Sequence, residues 1–277
     1  MNQRATIDDV AKLAGVSIAT VSRVISKSDR VRASTRAQVL QAIEDLHYQP
    51  DASARALASG RTYTVGCVIP TLDHSIFARA TQAMQTVLSD AGFQLLVGSS
   101  NYESNTELQV VRAFQQRGVD ALVLVGTDHA ASMWDAVTQW GKPVLLSWSC
   151  DPRLPSVGFD NVTIAKHMTE HLLSLGHERI AVVSGFTANN DRARSRIQGV
   201  RQALSAHGLR LPKELLIEQS YNLHGGRLAL QQLMQLDQPP TAIFCAMDLL
   251  AAGVLLEAQR LQIRSEEHTS ELQSPCN

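Results

Sequence analysis

Twenty residues near the start, Thr6 to Ile25, constrain this chain more than any other stretch. Thr6 and Asp9 stand three apart, so a hydroxyl and a carboxylate can satisfy the free N–H groups that open a helix, which should begin at Ile7. That helix carries Val10, Ala11 and Ala14 on one face and should stop near Gly15, which tolerates the positive φ of a tight exit. Ser17 then caps a second helix with Val21, Val24 and Ile25 turned inward. Two short helices joined by such a turn form a helix-turn-helix. The outer face of the second helix keeps Ser17, Ile18, Ala19, Ser22 and Arg23, short enough to enter a major groove. There Ile18 and Ala19 would meet thymine methyls and Arg23 would pair with guanine.

The run Asp9-Val10-Ala11-x-x-Ala14-Gly15-Val16-Ser17-x-x-Thr20-Val21-Ser22-Arg23-Val24-Ile25 is followed by Thr35-Arg36, Leu46-x-Tyr48-x-Pro50 and Ala54-Arg55-x-Leu57. Together these resemble the lactose-repressor/galactose-repressor family of bacterial transcription regulators, and the likeness continues less specifically to about Ile263. The resemblance implies a repressor that binds a pseudo-palindromic operator as a homodimer or tetramer and answers to a small effector. The expected DNA contacts are Thr6, Ser17, Ile18, Ala19, Thr20, Ser22, Arg23, Arg36, Ala54, Arg55 and Leu57. It further implies that residues 51–61 are a hinge helix that folds on DNA, with Leu57 wedged between base steps in the minor groove. From the residues alone, Asp51 to Ser59 is alanine-rich and too short to be a stable helix in water.

A chain of 277 residues has room for about two domains. Its net charge of −1 hides an asymmetry: residues 1–61 hold nine basic and six acidic side chains, the remainder 16 and 20. A basic head on an acidic body suits a module that meets phosphate joined to one that does not. Asp8, Asp9 and Lys12 interrupt any N-terminal signal sequence, and no run of about 20 apolar residues could span a membrane. The four cysteines lack paired spacing. Cys67 and Cys245 lie in apolar runs and read as buried thiols of a cytoplasmic protein.

A third helix, roughly Ser34 to Leu46, should close the head with Val39, Ile43 and Leu46, while Lys27, Arg30, Arg32 and Arg36 flank it within reach of phosphate. Pro50 ends this unit. From Tyr63 strands and helices alternate. The strands are Thr64–Ile69, Leu95–Gly98, Ala121–Val125, Val144–Leu146, a short one at Val157, Ile180–Val183, Leu215–Glu218 and Ala242–Cys245. Between them fall helices over Ile76–Ala91, from a Ser104/Glu107 capping box to Gly118, Ser132–Trp140, from an Asn161 cap to Leu175, Asp191–His207, Leu223–Gln235 and onward from Asp248. Gly92, Gly118, Gly141, Gly176 and Gly208 each end a helix. The fold class is therefore α + α/β: a three-helix helix-turn-helix head over residues 1–50, a hinge over 51–61, and a doubly wound parallel body over 62–263. The series is too long for one sheet and divides into lobes of about 62–161 and 162–263. The family resemblance makes this an incomplete periplasmic-binding-protein-like domain.

A ligand would lie between the lobes at the strand exits. Polar and aromatic residues there are Asp73, Phe77, Trp148, Asp160, Asn161, Asn190, Arg192, Arg194, Arg196, Tyr221 and Asp248. Aromatic faces pack on sugars or planar rings, and Asp or Arg fix hydroxyls or a carboxylate. By resemblance, Arg196 matches the arginine that grips the effector, Phe77, Trp148 and Tyr221 match aromatic positions, and Asp248 matches the aspartate of an Asn-Asp pair. Met247 replaces that Asn, so sugar specificity does not transfer. His167 and His171 stand four apart, but no further metal ligand accompanies them. Catalytic signatures are missing, so the chain reads as neither enzyme nor cofactor carrier. The alternative is a small-molecule binding protein without DNA function, which would not carry the motif at 6–25.

After Ile263 periodicity stops. Residues 264–277 resemble the in-frame translation of a short-read sequencing adapter, a non-native end on a truncated gene. Both sheets would then be unfinished, leaving the body poorly stable and deaf to effector, while the first 50 residues could still fold.

Overall fold

The computed structural model describes residues 5–26, 31–50, 56–57 and 59–265. The chain divides into two compact units, Met1–Tyr63 and Thr64–Asn277.

The first unit is built on α1 (Ile7–Leu13), α2 (Ile18–Ile25) and α3 (Ala33–Asp45). The capping box at Thr6 is formed: its Oγ1 accepts from the Asp9 N–H at 3.3 Å, and Asp9 Oδ2 accepts from the Thr6 N–H at 2.9 Å. Ser17 Oγ accepts from the Thr20 N–H at 3.3 Å, opening α2. Gly15 sits between the helices at φ +64°, where an L side chain is strained. Val10, Ala11, Val21, Val24, Val39 and Ala42 form the core, with Val16, Ile43, Leu46 and Tyr48 packed against it. The third helix thus closes the head chiefly through Val39 and Ala42, while Ile43 and Leu46 sit at the margin. It starts at Ala33 without a side-chain cap. Ala56, Leu57 and Ser59 have helical backbone, and the Gly60 N–H donates to the Ala56 carbonyl at 2.8 Å. Lys27, Arg30, Asp51, Ala54, Arg55 and residues 266–277 lie outside the described residues.

The second unit alternates strand and helix as the pattern predicts. Its strands are β1 (Thr64–Ile69), β2 (Gln94–Ser99), β3 (Ala121–Val125), β4 (Val144–Trp148), β5 (Ser156–Gly158), β6 (Ile180–Ser184), β7 (Leu216–Glu218) and β8 (Ala242–Cys245). The helices are α4 (Ser75–Asp90), α5 (Ser104–Gln116), α6 (Ala131–Trp140), α7 (Asn161–Ser174), α8 (Asp191–Ala206), α9 (Leu223–Met234) and α10 (Asp248–Arg260). Among the described residues these strands form two all-parallel sheets, ordered β2-β1-β3-β4-β5 and β7-β6-β8. Each is covered on both faces. In the first sheet Leu122, Leu124 and Leu146 pack with Val111, Phe114, Met133 and Val137 on one side, and Cys67, Ile69 and Phe77 pack with Val123 and Val125 on the other. In the second, Ile180 and Val182 meet Ala165, Ile197 and Val200, while Ala181 and Val183 meet Ala229, Leu233 and Leu250. Gly92, Gly118, Gly141, Gly176 and Gly208 all have positive φ at helix exits.

Two caps differ from expectation. Glu103, not Ser104, precedes α5 and gives no side-chain cap, its carboxylate accepting instead from the Thr106 hydroxyl at 3.0 Å; Glu107 lies 2.9 Å from the His129 ring Nδ1. Asp160 rather than Asn161 caps α7, accepting the Val162 and Thr163 N–H groups at 2.9 and 3.1 Å. Its carboxylate offers two acceptor oxygens, which frees Asn161 to point elsewhere. Leu215 closes a 3-10 turn instead of opening β7. Cys67 is fully buried, while Cys245 is only half-buried.

Candidate nucleic-acid interface and ligand cleft

The interior of the head is apolar, so its polar groups are left on the outside. Ser17, Ser22 and Arg23 are exposed on α2, with Ala19 beside them and Ile18 at 47 % exposure. Thr20 is half-buried, its hydroxyl 3.0 Å from that of Ser17. The Thr6 hydroxyl is exposed and donates to Asp9 at 2.7 Å. Arg36 is half-buried on α3. Leu57 is 90 % exposed, the highest value among the described large apolar side chains.

In the body the first sheet's order reverses between β1 and β3, and the second sheet's at β6. Ligands of open α/β sheets bind at such reversals, beyond the carboxyl ends of the strands. Phe77, near the start of α4, lies 5.2 Å from Trp148 at the end of β4, ring centroid to centroid. His74, which precedes α4, stacks 6.1 Å from Phe77 and meets Tyr221 edge-on at 5.4 Å. Tyr221 follows β7, so this aromatic row joins the two lobes. Gly185 makes room for it, since a Cβ there would stand 2.1 Å from the tyrosine ring. Burial pushes the His74 imidazole below its ordinary value, against the opposing effect of Asp73.

Beside the rings runs a polar row. Arg196 donates from Nη1 to Asn161 Oδ1 at 2.7 Å, and Asn161 Nδ2 donates to the Trp148 and Phe159 carbonyls at 3.5 and 3.4 Å. The Arg196 Nε is buried without a hydrogen-bond partner. Asn190 caps α8 by accepting the Ala193 N–H at 3.3 Å, and its amide reaches the Tyr221 hydroxyl at 3.4 Å. Thr187 donates its N–H and hydroxyl to Glu218, both at 3.0 Å, which fixes the loop that carries Asn189 and Asn190. The structure therefore gathers Phe77, Trp148, Tyr221, Asn161, Asn190 and Arg196. Asp73, after β1, and Asp248, at the start of α10, are exposed.

Sequence reasoning missed His74, Tyr102, Thr127, Ser149 and Asp191. Thr127 and Ser149 closely follow β3 and β4, so the strand-exit rule could have found them. Tyr102 lines a small polar cavity with Ser100, Glu103, Asp128, Asn189 and Arg192. Burial raises its phenol to about 12, although Arg192 works against this. Asp191 and Arg192 pair at 2.7 Å, and Arg194 donates to Asp128 at 2.6 Å.

An exposed short-residue helix face on one unit and a polar, aromatic-lined cleft in the other define a ligand-responsive DNA-binding regulator. Residues 6–51 match the bacterial regulatory proteins of the lacI family, and residues 62–273 match the periplasmic binding proteins and sugar binding domain of the LacI family. The chain belongs to the LacI family: it is a DNA-binding transcriptional regulator controlled by a small-molecule effector, and not an enzyme. Catabolite control protein A of Priestia megaterium is 32% identical over 256 residues, covering 92% of this chain and 77% of that protein. The transcriptional repressor CytR of Escherichia coli (strain K12) is 28% identical over 271 residues, covering 96% and 78%. A solved LacI-family regulator from Silicibacter pomeroyi aligns with TM-score 0.81 at 27% identity, over 94% of this chain and 79% of that one. The lac repressor dimer bound to operator and the anti-inducer ONPF has the same fold, with TM-score 0.82 at 24% identity over 95% and 79%. Among the described residues no helix is long and apolar enough to cross a membrane.

Proposed function

We propose that this chain is a cytoplasmic, homodimeric repressor of metabolic genes that reads a pseudo-palindromic operator through α2. Ser17, Ile18, Ala19, Ser22 and Arg23 meet the bases or adjoining phosphates, and Thr6, Thr20 and Arg36 position the head on the backbone. Leu57 enters the minor groove at the operator centre. The observation that carries this reading is the exposed outer face of α2, held in place by a core of Val10, Val21 and Val39. A two-fold dimer presents two such faces, which is why the operator should be a pseudo-palindrome.

The effector is a small ring-bearing polar metabolite: a sugar, a sugar acid or a nucleobase. Phe77, Trp148 and Tyr221 supply flat apolar faces, and Arg196 supplies donors for a hydroxyl, carbonyl or carboxylate. Asp73 and Asp248 complete the lining. Gel-shift binding to a pseudo-palindromic duplex selected from a random pool tests the DNA half, with Arg23→Ala expected to abolish the shift. Unchanged binding by that variant would refute the assignment of α2. A thermal-shift screen of monosaccharides, sugar acids and nucleobases tests the effector half.

A further inference from the structure

The lobes of the body meet through polar contacts that converge on one carboxylate. Asp191 opens α8 beside the second sheet, yet its Oδ2 accepts from three donors at strand exits of the first sheet. These are the Thr127 N–H at 3.1 Å, the Thr127 hydroxyl at 3.0 Å and the Ser149 hydroxyl at 2.6 Å. Its Oδ1 accepts from Arg192 Nη1 at 2.7 Å. Two flanking contacts also cross between lobes: Arg194 Nη2 donates to Asp128 at 2.6 Å, and Asn189 Nδ2 donates to the Tyr102 carbonyl at 3.0 Å.

The first lobe is shaped to receive this carboxylate. Gly126 has φ +86°, and a Cβ there would stand 2.0 Å from Arg192 Nη1 and 2.5 Å from Asp191 Oδ1. The loop is braced from behind by His129, whose Nε2 lies 3.1 Å from the Gly126 carbonyl and whose Nδ1 lies 2.9 Å from Glu107. A carbonyl oxygen only accepts, so Nε2 carries a proton in this contact. Four consecutive residues, Gly126 to His129, are thus tied either across the cleft or back into their own lobe.

We propose that Asp191 is a closure latch, a positioning residue that holds the two lobes together through protein groups alone and so sets how strongly an effector must act to change their arrangement. The proposal rests on reading the cleft as the effector site. Charge-assisted hydrogen bonds are roughly twice as strong as neutral ones, so three donors on one carboxylate bias the lobe equilibrium substantially. A ligand shifts that equilibrium only through its differential affinity for the two arrangements. A ligand that separates Thr127 and Ser149 from Asp191 must offer them replacement acceptors or leave them to water.

The test is amide hydrogen exchange, read by mass spectrometry on the whole chain with no ligand added. The Thr127 amide is protected by Asp191 itself, so it reports closure directly. Asp191→Asn keeps the shape but removes the charge and places an NH2 group among donors. Exchange of the segment carrying Thr127 should rise about tenfold or more, while β3 and β6 keep their protection. A second variant, Thr127→Val combined with Ser149→Ala, removes two donors from the opposite lobe without touching α8, and should give the same local increase even if Asp191→Asn fails to fold. Unchanged exchange around residue 127 in both variants would overturn the latch. So would general loss of protection in Asp191→Asn together with wild-type exchange in the double variant. The readout contains no ligand, so it separates the two readings: local opening with no ligand ever bound leaves the latch standing and removes the effector reading, and ligand binding with unmoved exchange does the reverse.

Discussion

Arg196 donates through Nη1 to Asn161 Oδ1 at 2.7 Å, while its Nε is buried with no hydrogen-bond partner. A buried donor left unsatisfied costs about 1–3 kcal/mol, so this arrangement is stabilised by anything that brings an acceptor to Nε. Asn161 fixes the guanidinium beside Trp148, whose carbonyl it also holds. Arg196→Ala is therefore expected to weaken binding of a ligand identified by the thermal-shift screen by about tenfold or more, the loss of one charged hydrogen bond. Isothermal titration against that ligand checks this, and the variant's DNA affinity should stay at the wild-type value.

Gly15 and Gly126 both have positive φ, but substitution should act differently at each. A Cβ at Gly15 meets nothing within 4 Å, so Gly15→Ala should cost only the backbone strain of about 1–2 kcal/mol, spread over a head that still folds. A Cβ at Gly126 collides with Arg192 and Asp191. Gly126→Ala should part the lobes as well as strain the loop, and comparative thermal unfolding with hydrogen exchange distinguishes the two cases.

Gly226 of α9 and Gly253 of α10 face each other across a close helix crossing. A Cβ on Gly226 would stand 2.2 Å from the Leu250 carbonyl, and one on Gly253 would stand 2.2 Å from that of Leu223. Backbone cannot rotate aside as a flexible side chain can. Gly253→Ala should destabilise the body by about 1–3 kcal/mol through overpacking, read as a lower urea midpoint.

Glu257, fully buried between these helices, accepts from Arg227, Gln231 and Arg260, and the Arg260 and Gln231 bonds hold its carboxyl at about 2 instead of 4.5. A carboxyl depressed on folding adds stability above its unfolded value and loses it as pH falls through the folded one. The difference in urea midpoint between wild type and Glu257→Gln should be full at neutral pH and shrink between pH 4.5 and about 2.

Asp191 follows the same sign. Burial opposes its charge, but Arg192, Ser149 and Thr127 outweigh burial and hold the carboxyl below its ordinary 3.8. The latch should therefore be intact at neutral pH and loosen only as acid protonates the carboxylate. The neighbouring titratable and charged groups are Arg192, Arg194, Asp128, His129, Glu103, Glu107 and Tyr102. Hydrogen exchange at the Thr127 segment, corrected for intrinsic rates, should accelerate locally in wild type as pH falls below 3.8 and respond less in Asp191→Asn.

Local signals were legible and long-range ones were not. Thr6 with Asp9 announced α1 because both partners of the capping box lie within one turn, and glycines at helix exits announced the alternation of the body for the same reason. Ser104 with Glu107 shows the same spacing but forms no capping box, and Glu107 instead meets His129, 22 residues away. Asn161 has the residue type of a cap, but the adjacent Asp160, with two acceptor oxygens, takes that place. In the cleft, Phe77, Trp148 and Tyr221 stand at strand exits in the sequence, and the fold brings Phe77 to 5.2 Å from Trp148 and Tyr221 to 5.4 Å from His74. Asp191 could not be singled out from the sequence, because its role depends on Thr127 and Ser149 being brought to it by a separate sheet.

Among the described residues, the apolar cluster of the head is made of side chains between Ile7 and Tyr48. Its α2 face can therefore drift toward a new half-site without disturbing what the cleft recognises, and the cleft can change its chemical taste without altering the address. A gene of this design is open to chimaeras in which one sensor is wired to a different promoter by exchanging some fifty codons.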